Sequence, residues 1–451
     1  MPAPERRHAE LLRAGLQALR RAGLEGGEAY LHDMHSSSVT VAGGKVEASE
    51  RRHDLGMGLR GFRKERVGFV YTSDLSGAAL RRAAERAAAQ ADVLPRDPAH
   101  RLPVPGRRPE LPRNHDPAVP ELASRRKVEI ATAMEAAARG VDAALKTRES
   151  RYADVWGGVS IAHSGGFEDT HEMSRTLGWI EVIVGGADGS LQTGFATDFA
   201  IGPDGLDPAA VGREAAGRAR AKLGARQPAS ARTAVVLDPQ VAAGVFHALA
   251  EALHADNVIK GKSLFAKRLG QRVGSPHVTL IDDGRLPGGY SSAPFDGEGV
   301  ASRETRLIEA GVLRGFLHST YTAARLNTEP TGNAWRDSYT TPPRIDSSNL
   351  YLKPSGVTRA DLLASVGEGV YVAEAMGLHT IDPISGDFSL GASGSEIRGG
   401  RLGAPVEKLG IAGNVLQLLG AVRGVADDLR FFPGGQGGAT VLLEGLTVSG
   451  K

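Results

Sequence analysis

The chain has 451 residues, too long for one ordinary hydrophobic core, and its 41% hydrophobic and 24% charged fractions are those of a folded soluble protein of two or three domains. Its 54 basic and 52 acidic residues leave a net charge of only +2, so no overall field points to an acidic or basic partner. Cysteine is absent, which excludes disulfides, thiolate nucleophiles and cysteine metal ligands and makes the cytoplasm the default compartment. The 59 glycines against 5% aromatics favour turns and close backbone approaches, as in strand-rich architecture. No uncharged stretch is long enough to span a bilayer, and the charged start from Met1 to His8 does not read as a signal peptide.

In chain order, Leu11, Leu12, Leu16 and Leu19 recur at helical spacing and predict a helix over residues 7–23 that stops at Gly23. From Glu28 to Tyr71 short alternating runs predict a strand meander, with Gly43-Gly44 as a hairpin turn. Ser73 or Asp74 is placed to cap an alanine-rich helix over 76–92. Eight of the chain's 24 prolines lie between Pro95 and Pro120, which marks an extended, irregular boundary. Basic residues gather across Arg101 to Lys127, Arg107, Arg108 and Arg113 among them. No aromatic interleaves them, so a solvated linker is the better reading than a nucleic-acid surface.

Residues 121–145 read as a helix and 150–200 as strands, with Gly157-Gly158, Gly165-Gly166 and Gly185-Gly186 as turns or bulges, before a basic helix over 207–223. The remainder, from residue 231, reads as mostly strands with helices at 239–254, 319–326, 359–365 and within 411–422. The expected organisation is therefore multi-domain α+β, with mixed and antiparallel sheets and flanking helices. Its parts are an amino-terminal domain (1–94), a proline-rich linker (95–120), a middle domain (121–230) and a strand-rich carboxy-terminal domain (231–451).

One segment could carry chemistry. Asp238 caps and Pro239 opens a helix on which His247, Glu251 and His254 fall at i, i+4 and i+7, an imidazole–carboxylate–imidazole face able in principle to hold a divalent ion. Three ligands on one straight helix span about 10 Å at a ~1.5 Å rise per residue, so all three could meet one ion only if the helix bends. The plainer reading is a polar stripe. His318-Ser319 is sequence adjacency without a demonstrated nucleophile–base pair, and Asp282-Asp283 and Asp427-Asp428 read as turn acids. Gly434-Gly435-Gln436-Gly437-Gly438 matches neither the phosphate-loop nor the dinucleotide pattern, and Gly332-Asn333 suits a tight turn.

The runs from Ala293 to Val300 (APFDGEGV) and from Ile308 to Leu313 (IEAGVL) resemble a signature of the TldD/PmbA family, on its PmbA (TldE) branch. Further resemblances follow in order: Tyr321 with Ala324-Arg325-Leu326, Thr331 to Ala334, Ser385 to Ser389, Pro405-Val406-Glu407 and Ile411 to Asn414. Gly58-Leu59-Arg60 and Gly68 to Ser76 are similar to the family's first domain. Active TldD-type members carry a His-Glu-x-x-x-His zinc helix and a downstream cysteine ligand. If His247 takes the first histidine's place, the resemblance puts Ala248 at the general base and Ala252 at the second histidine. It thus implies a chain with no catalytic residues and no zinc of its own, paired with a TldD-type zinc peptidase or with itself. The pair would handle small or unfolded peptides in an enclosed cavity, a role tied to peptide-antibiotic maturation and antitoxin turnover. The alternatives are an independent metallopeptidase using His247, Glu251 and His254, or a regulatory binding protein acting on a nucleic-acid enzyme.

Overall fold

The computed structural model describes residues 3–106, 109–111, 114–187 and 189–451. Helix α1 (Ala3–Arg21) is followed by three long antiparallel strands, β1 (Gly26–Ala42), β2 (Lys45–Arg63) and β3 (Arg66–Thr72), then by α2 (Gly77–Val93). The β1–β2 turn is at Gly43-Gly44, as expected. Both residues have positive φ, and their N–H groups donate to the buried Glu135 carboxylate at 2.8 and 2.9 Å. The cap of α2 is Ser76, whose hydroxyl accepts from Ala79 N, rather than Ser73 or Asp74.

After a one-turn helix α3 (Ala118–Glu121) come α4 (Ser124–Val141), β4 (Lys146–His163), β5 (Phe167–Gly185), β6 (Leu191–Ala200) and α5 (Pro208–Arg220). The strands on either side of the proline-rich stretch join in one six-stranded antiparallel sheet, ordered β3-β2-β1-β4-β5-β6, because β1 pairs along β4 from Glu28↔His163 to Val41↔Ser150. Strand alternation gives this sheet two characters. On one face Ala29, Leu31, Met57 and Leu59 meet α1 and α2, while Val39, Val41, Tyr152 and Ile180 meet α4 and α5. On the other face Tyr30 and Ile161 meet Phe295 of the carboxy-terminal domain.

That domain holds two six-stranded sheets. The first combines β7 (Ala231–Leu237), β14 (Glu368–Met376), β15 (Asp387–Arg398), β16 (Arg401–Asn414), β17 (Val422–Val425) and β20 (Val441–Ser449) in the order β16-β15-β14-β7-β20-β17; a further β16–β20 pairing closes it into a barrel. The second runs β10-β9-β8-β13-β19-β18, from β8 (Leu280–Asp283), β9 (Glu304–Glu309), β10 (Val312–Leu313), β13 (Leu350–Leu352), β18 (Arg430–Phe432) and β19 (Gln436–Gly438). Between the sheets lies α6 (Pro239–Ala250), which buries Val241, Val245, Phe246 and Leu249. Short helices α7 (Ala255–Ile259), α8 (Thr320–Arg325), α9 (Arg359–Ala364) and α10 (Val415–Ala421), with the β11 (Ala334–Trp335)–β12 (Arg344–Ile345) ribbon, complete a multi-domain α+β fold. Among the described residues no helix is long and apolar enough to cross a membrane.

Candidate functional site

A cleft separates the amino-terminal sheet from the carboxy-terminal domain and holds two cavities, of about 880 Å³ and about 910 Å³. His247, Arg344 and Asp346 border both, so they stand as a partition between them. The first cavity is walled by His32, Asp54, Tyr290, Phe295 and Trp335, the second by Phe69, His100, Glu251, His254 and Tyr321.

The partition begins with α6. Asp238 caps it by accepting from Gln240 N at 2.9 Å, and Pro239 follows in the first turn. The helix stops at Ala250, four residues short of the sequence expectation. A 3-10 turn spans Glu251–Leu253, and His254 is extended at φ −75°, ψ 125°. The three residues at i, i+4 and i+7 therefore do not share one helical face. His247 is half-buried, with Nδ1 3.4 Å from the Ser347 hydroxyl; Glu251 is exposed; and His254 buries an Nε2 that has no hydrogen-bond partner among the described residues. All three border the second cavity, yet their donor atoms do not converge. Among the described residues the one group of three His, Asp or Glu side chains with ligand atoms within 4.8 Å of one another is Asp33, His35 and His53, in the other domain.

Burial holds the pKa of His247 and of His254 below the usual imidazole value, against the opposing pull of Asp346. Asp346 itself accepts a 3.0 Å ion pair from Arg344, whose other terminal nitrogen is 3.0 Å from Asp337. The partition thus sets one imidazole, whose charge burial disfavours, beside a compensated acid–guanidinium group, with His254 on the wall of the second cavity.

The conspicuous sequence segments take structural posts. In the 293–300 run, Asp296 and Glu298 are both buried. Asp296 accepts from the N–H groups of Glu298, Val300 and Ala334, and burial followed by the Glu298 charge raises its pKa above the carboxylate range. Glu298 accepts from Arg60 of β2 at 2.8 Å and from Thr320 N at 2.8 Å. Arg60 also reaches Glu28 at 2.6 Å, and Glu28 in turn pairs with Arg336, which stacks 4.6 Å over the Tyr30 ring. Ser319 spends its hydroxyl capping α8 with Thr322, so His318-Ser319 is not a nucleophile–base pair. Asp282 is not a turn acid: it lies buried in β8 and accepts from Asn333 Nδ2, Ser348 N and Ser348 Oγ, each at 2.7 Å. Of the basic stretch, Arg107, Arg108 and Arg113 lie outside the described residues.

Three family models cover most of the chain: PmbA/TldA metallopeptidase domain 1 matches residues 27–91, the central domain 117–223 and the C-terminal domain 230–450. A metalloprotease of Methanothermobacter thermautotrophicus is 30% identical over 433 residues, covering 92% of this chain and 93% of that one. Metalloprotease PmbA of Escherichia coli O157:H7 is 27% identical over 441 residues, covering 95% and 93%. Among solved structures, TldE from Thermococcus kodakarensis superposes with a TM-score of 0.89 over 96% of this chain and 99% of its own, and at 21% identity that likeness speaks for the fold.

Proposed function

The chain belongs to the PmbA/TldD metallopeptidase family, and from that membership we propose that it is the PmbA/TldE-type subunit of a TldD/TldE-type peptidase. In this reading it pairs with a TldD-type zinc subunit, or with a second copy of itself, and works in the cytoplasm on small or unfolded peptides. It contributes walls and peptide contacts to the chamber and carries no zinc on α6.

The observation that carries this reading is the donor set around His247. The neighbouring family positions are methyl groups, Ala248 and the buried Ala252, and there is no cysteine in the chain. A zinc ion there would keep one helical ligand where three are needed to hold it, and no adjacent carboxylate to serve as general base. Asp346, the acid whose charge acts on His247, is already paired with Arg344, and a cation would have to displace that guanidinium. Peptide capture is supported by β3, an edge strand. Val67 and Phe69 of β3 border the second cavity, where an extended peptide could add main-chain hydrogen bonds.

His254 favours a second reading, an independent metallopeptidase, because its buried Nε2 has no partner among the described residues and lies beside the same cavity as His247 and Glu251. One assay separates the two. The purified chain is expected to leave unstructured peptides intact and to support their cleavage once a TldD-type subunit is added. Cleavage by the chain alone that disappears in His254→Ala would overturn the partner-subunit reading.

A further inference from the structure

We propose that Asp33, His35 and His53 form a binding site for a divalent transition-metal ion of the zinc class, with His8 of α1 as the positioning residue that holds the second carboxylate oxygen of Asp33. Asp33 meets His8 of α1 on the helix-bearing side of the amino-terminal sheet, and His35 also borders the first cavity, which His247 lines.

Strand geometry assembles it. Asp33 and His35 are two residues apart on β1 and so point to the same face, and His53 of β2 stands directly across from His35 in the register. The Asp33 Oδ1 atom is 2.8 Å from His53 Nε2 and 3.9 Å from His35 Nε2. Zinc with bonds of about 2.0 Å keeps tetrahedral ligands roughly 3.3 Å apart, so the present spacings bracket what one ion requires. The imidazoles of His35 and His53 stack at 3.9 Å with an interplanar angle of 7°, and Trp156 stacks on His35 at 5.3 Å. Both rings are therefore held on regular strands, and because they stack nearly parallel, one must tilt for both in-plane lone pairs to reach a single ion.

Two features fit a metal better than a hydrogen-bonded cluster. One carboxylate oxygen faces two Nε2 atoms, within hydrogen-bond reach of His53 at 2.8 Å but beyond it for His35 at 3.9 Å, whereas a cation between them would engage all three ligand atoms. The second is the surrounding support. His8 places Nε2 3.0 Å from Asp33 Oδ2, while its Nδ1 lies 3.2 Å from the buried Ser160 hydroxyl, itself 2.9 Å from Thr170 Oγ1. Outer contacts of this kind orient first-sphere carboxylates in metal sites. Gly158, opposite Asp33 on β4, adds no side chain beside the carboxylate. The His35 and His53 side chains are 39% and 46% exposed, which leaves an entry path and a fourth coordination position open to solvent. Two imidazoles and one carboxylate suit zinc, cobalt or nickel rather than the all-oxygen preference of calcium or magnesium.

The test is cobalt(II) and zinc titration of the metal-stripped, untagged full-length chain, read by visible absorption and by metal content. One equivalent per chain is expected, with the absorption of a four- or five-coordinate ion. His53→Gln and His35→Ala should each weaken binding at least about 100-fold, and His8→Ala about 10- to 100-fold, the usual effect of losing an outer-sphere partner. Circular dichroism confirms that each variant is folded, and His53, at the surface, is the substitution least able to disturb packing. His247→Ala should leave binding unchanged. No saturable uptake of either ion below millimolar concentration overturns the proposal, as does uptake that survives His53→Gln and His35→Ala. Uptake lost only in His247→Ala overturns it too, and would count separately against the zinc-free reading of α6.

Discussion

Glu28, Arg60, Glu298 and Arg336 form a four-charge chain between the amino-terminal sheet and the carboxy-terminal domain, with side chains 0% to 11% exposed. Two acids and two guanidinium groups balance, so the desolvation each suffers is offset only while all are present. Burial opposes the charge on Arg60, yet Glu28 and Glu298 together raise its pKa above the ordinary arginine value, and Arg60 overrides burial to hold that of Glu298 below the carboxylate range. Arg60→Met should therefore destabilise the folded chain by about 3–5 kcal/mol in urea unfolding, because it strands Glu298 beneath the domain contact. Adding Glu298→Leu should return part of that loss, since it removes the stranded charge and leaves only the Thr320 N–H without its acceptor; equal and additive losses would refute the coupling. The sequence marked residues 293–300 as a family signature, but not what they do. Arg60 and Glu298 are 238 positions apart, and no spacing rule reaches across that distance. The Asp33–His35–His53 group was hidden in the same way: its i, i+2 half is visible along β1, but His53 joins it only once the β1–β2 register is known.

Elements obeyed local pattern where packing agreed with it. The leucine stripe gave α1, the alanine run gave α2, and the paired glycines gave the β1–β2 turn. Alanine has a tertiary reason in α2. Gly68 of β3 lies so close beneath it that a Cβ there would sit 1.9 Å from Ala87 O. Gly68→Ala should accordingly cost about 1–3 kcal/mol by pushing helix from sheet, read as a lower denaturation midpoint; an unchanged midpoint would show that the layers slide without strain. Where packing opposed propensity, packing prevailed. Residues 239–254 have the composition of a continuous helix, but Leu317 N donates to Leu253 O and Ala255 N donates to Leu317 O, both at 3.0 Å. That exchange pulls the chain out of helix and separates His254 from the face of His247. Gly157 shows the converse. Its φ of 141° within β4 and its closeness to Asp33 O make it a strand irregularity that only glycine fits, which the sequence registered as a turn or bulge without its place in a sheet.

Across the whole molecule, buried titratable groups give stability a pH dependence of two signs. Burial lowers the His318 pKa to about 4, so the unfolded chain takes up that proton first; its contribution is full above the ordinary histidine value and is lost as pH falls toward 4. Burial raises the Asp282 pKa to about 6, and its contribution is full in acid and lost as pH rises through 6. The lowered values of His32, His163, His247 and His254 add to the first sense. His318→Gln should therefore remove up to about 2 kcal/mol of the stability difference between pH 7 and pH 5, measured as a smaller shift in melting temperature. A shift equal to that of the parent chain would mean that His318 is solvated in the folded protein.

At this scale the sequence divided the chain at its prolines, and the family models break near the same place. The β1–β4 ladder, fourteen residue pairs from Glu28↔His163 to Val41↔Ser150, runs straight across that division. A protease that cut within residues 95–120 would sever the polypeptide without opening the sheet. The two fragments would remain one particle, as in a split protein whose halves find each other again. Expressed apart, each would present a bare strand edge and seek its missing half, or another copy's, through it.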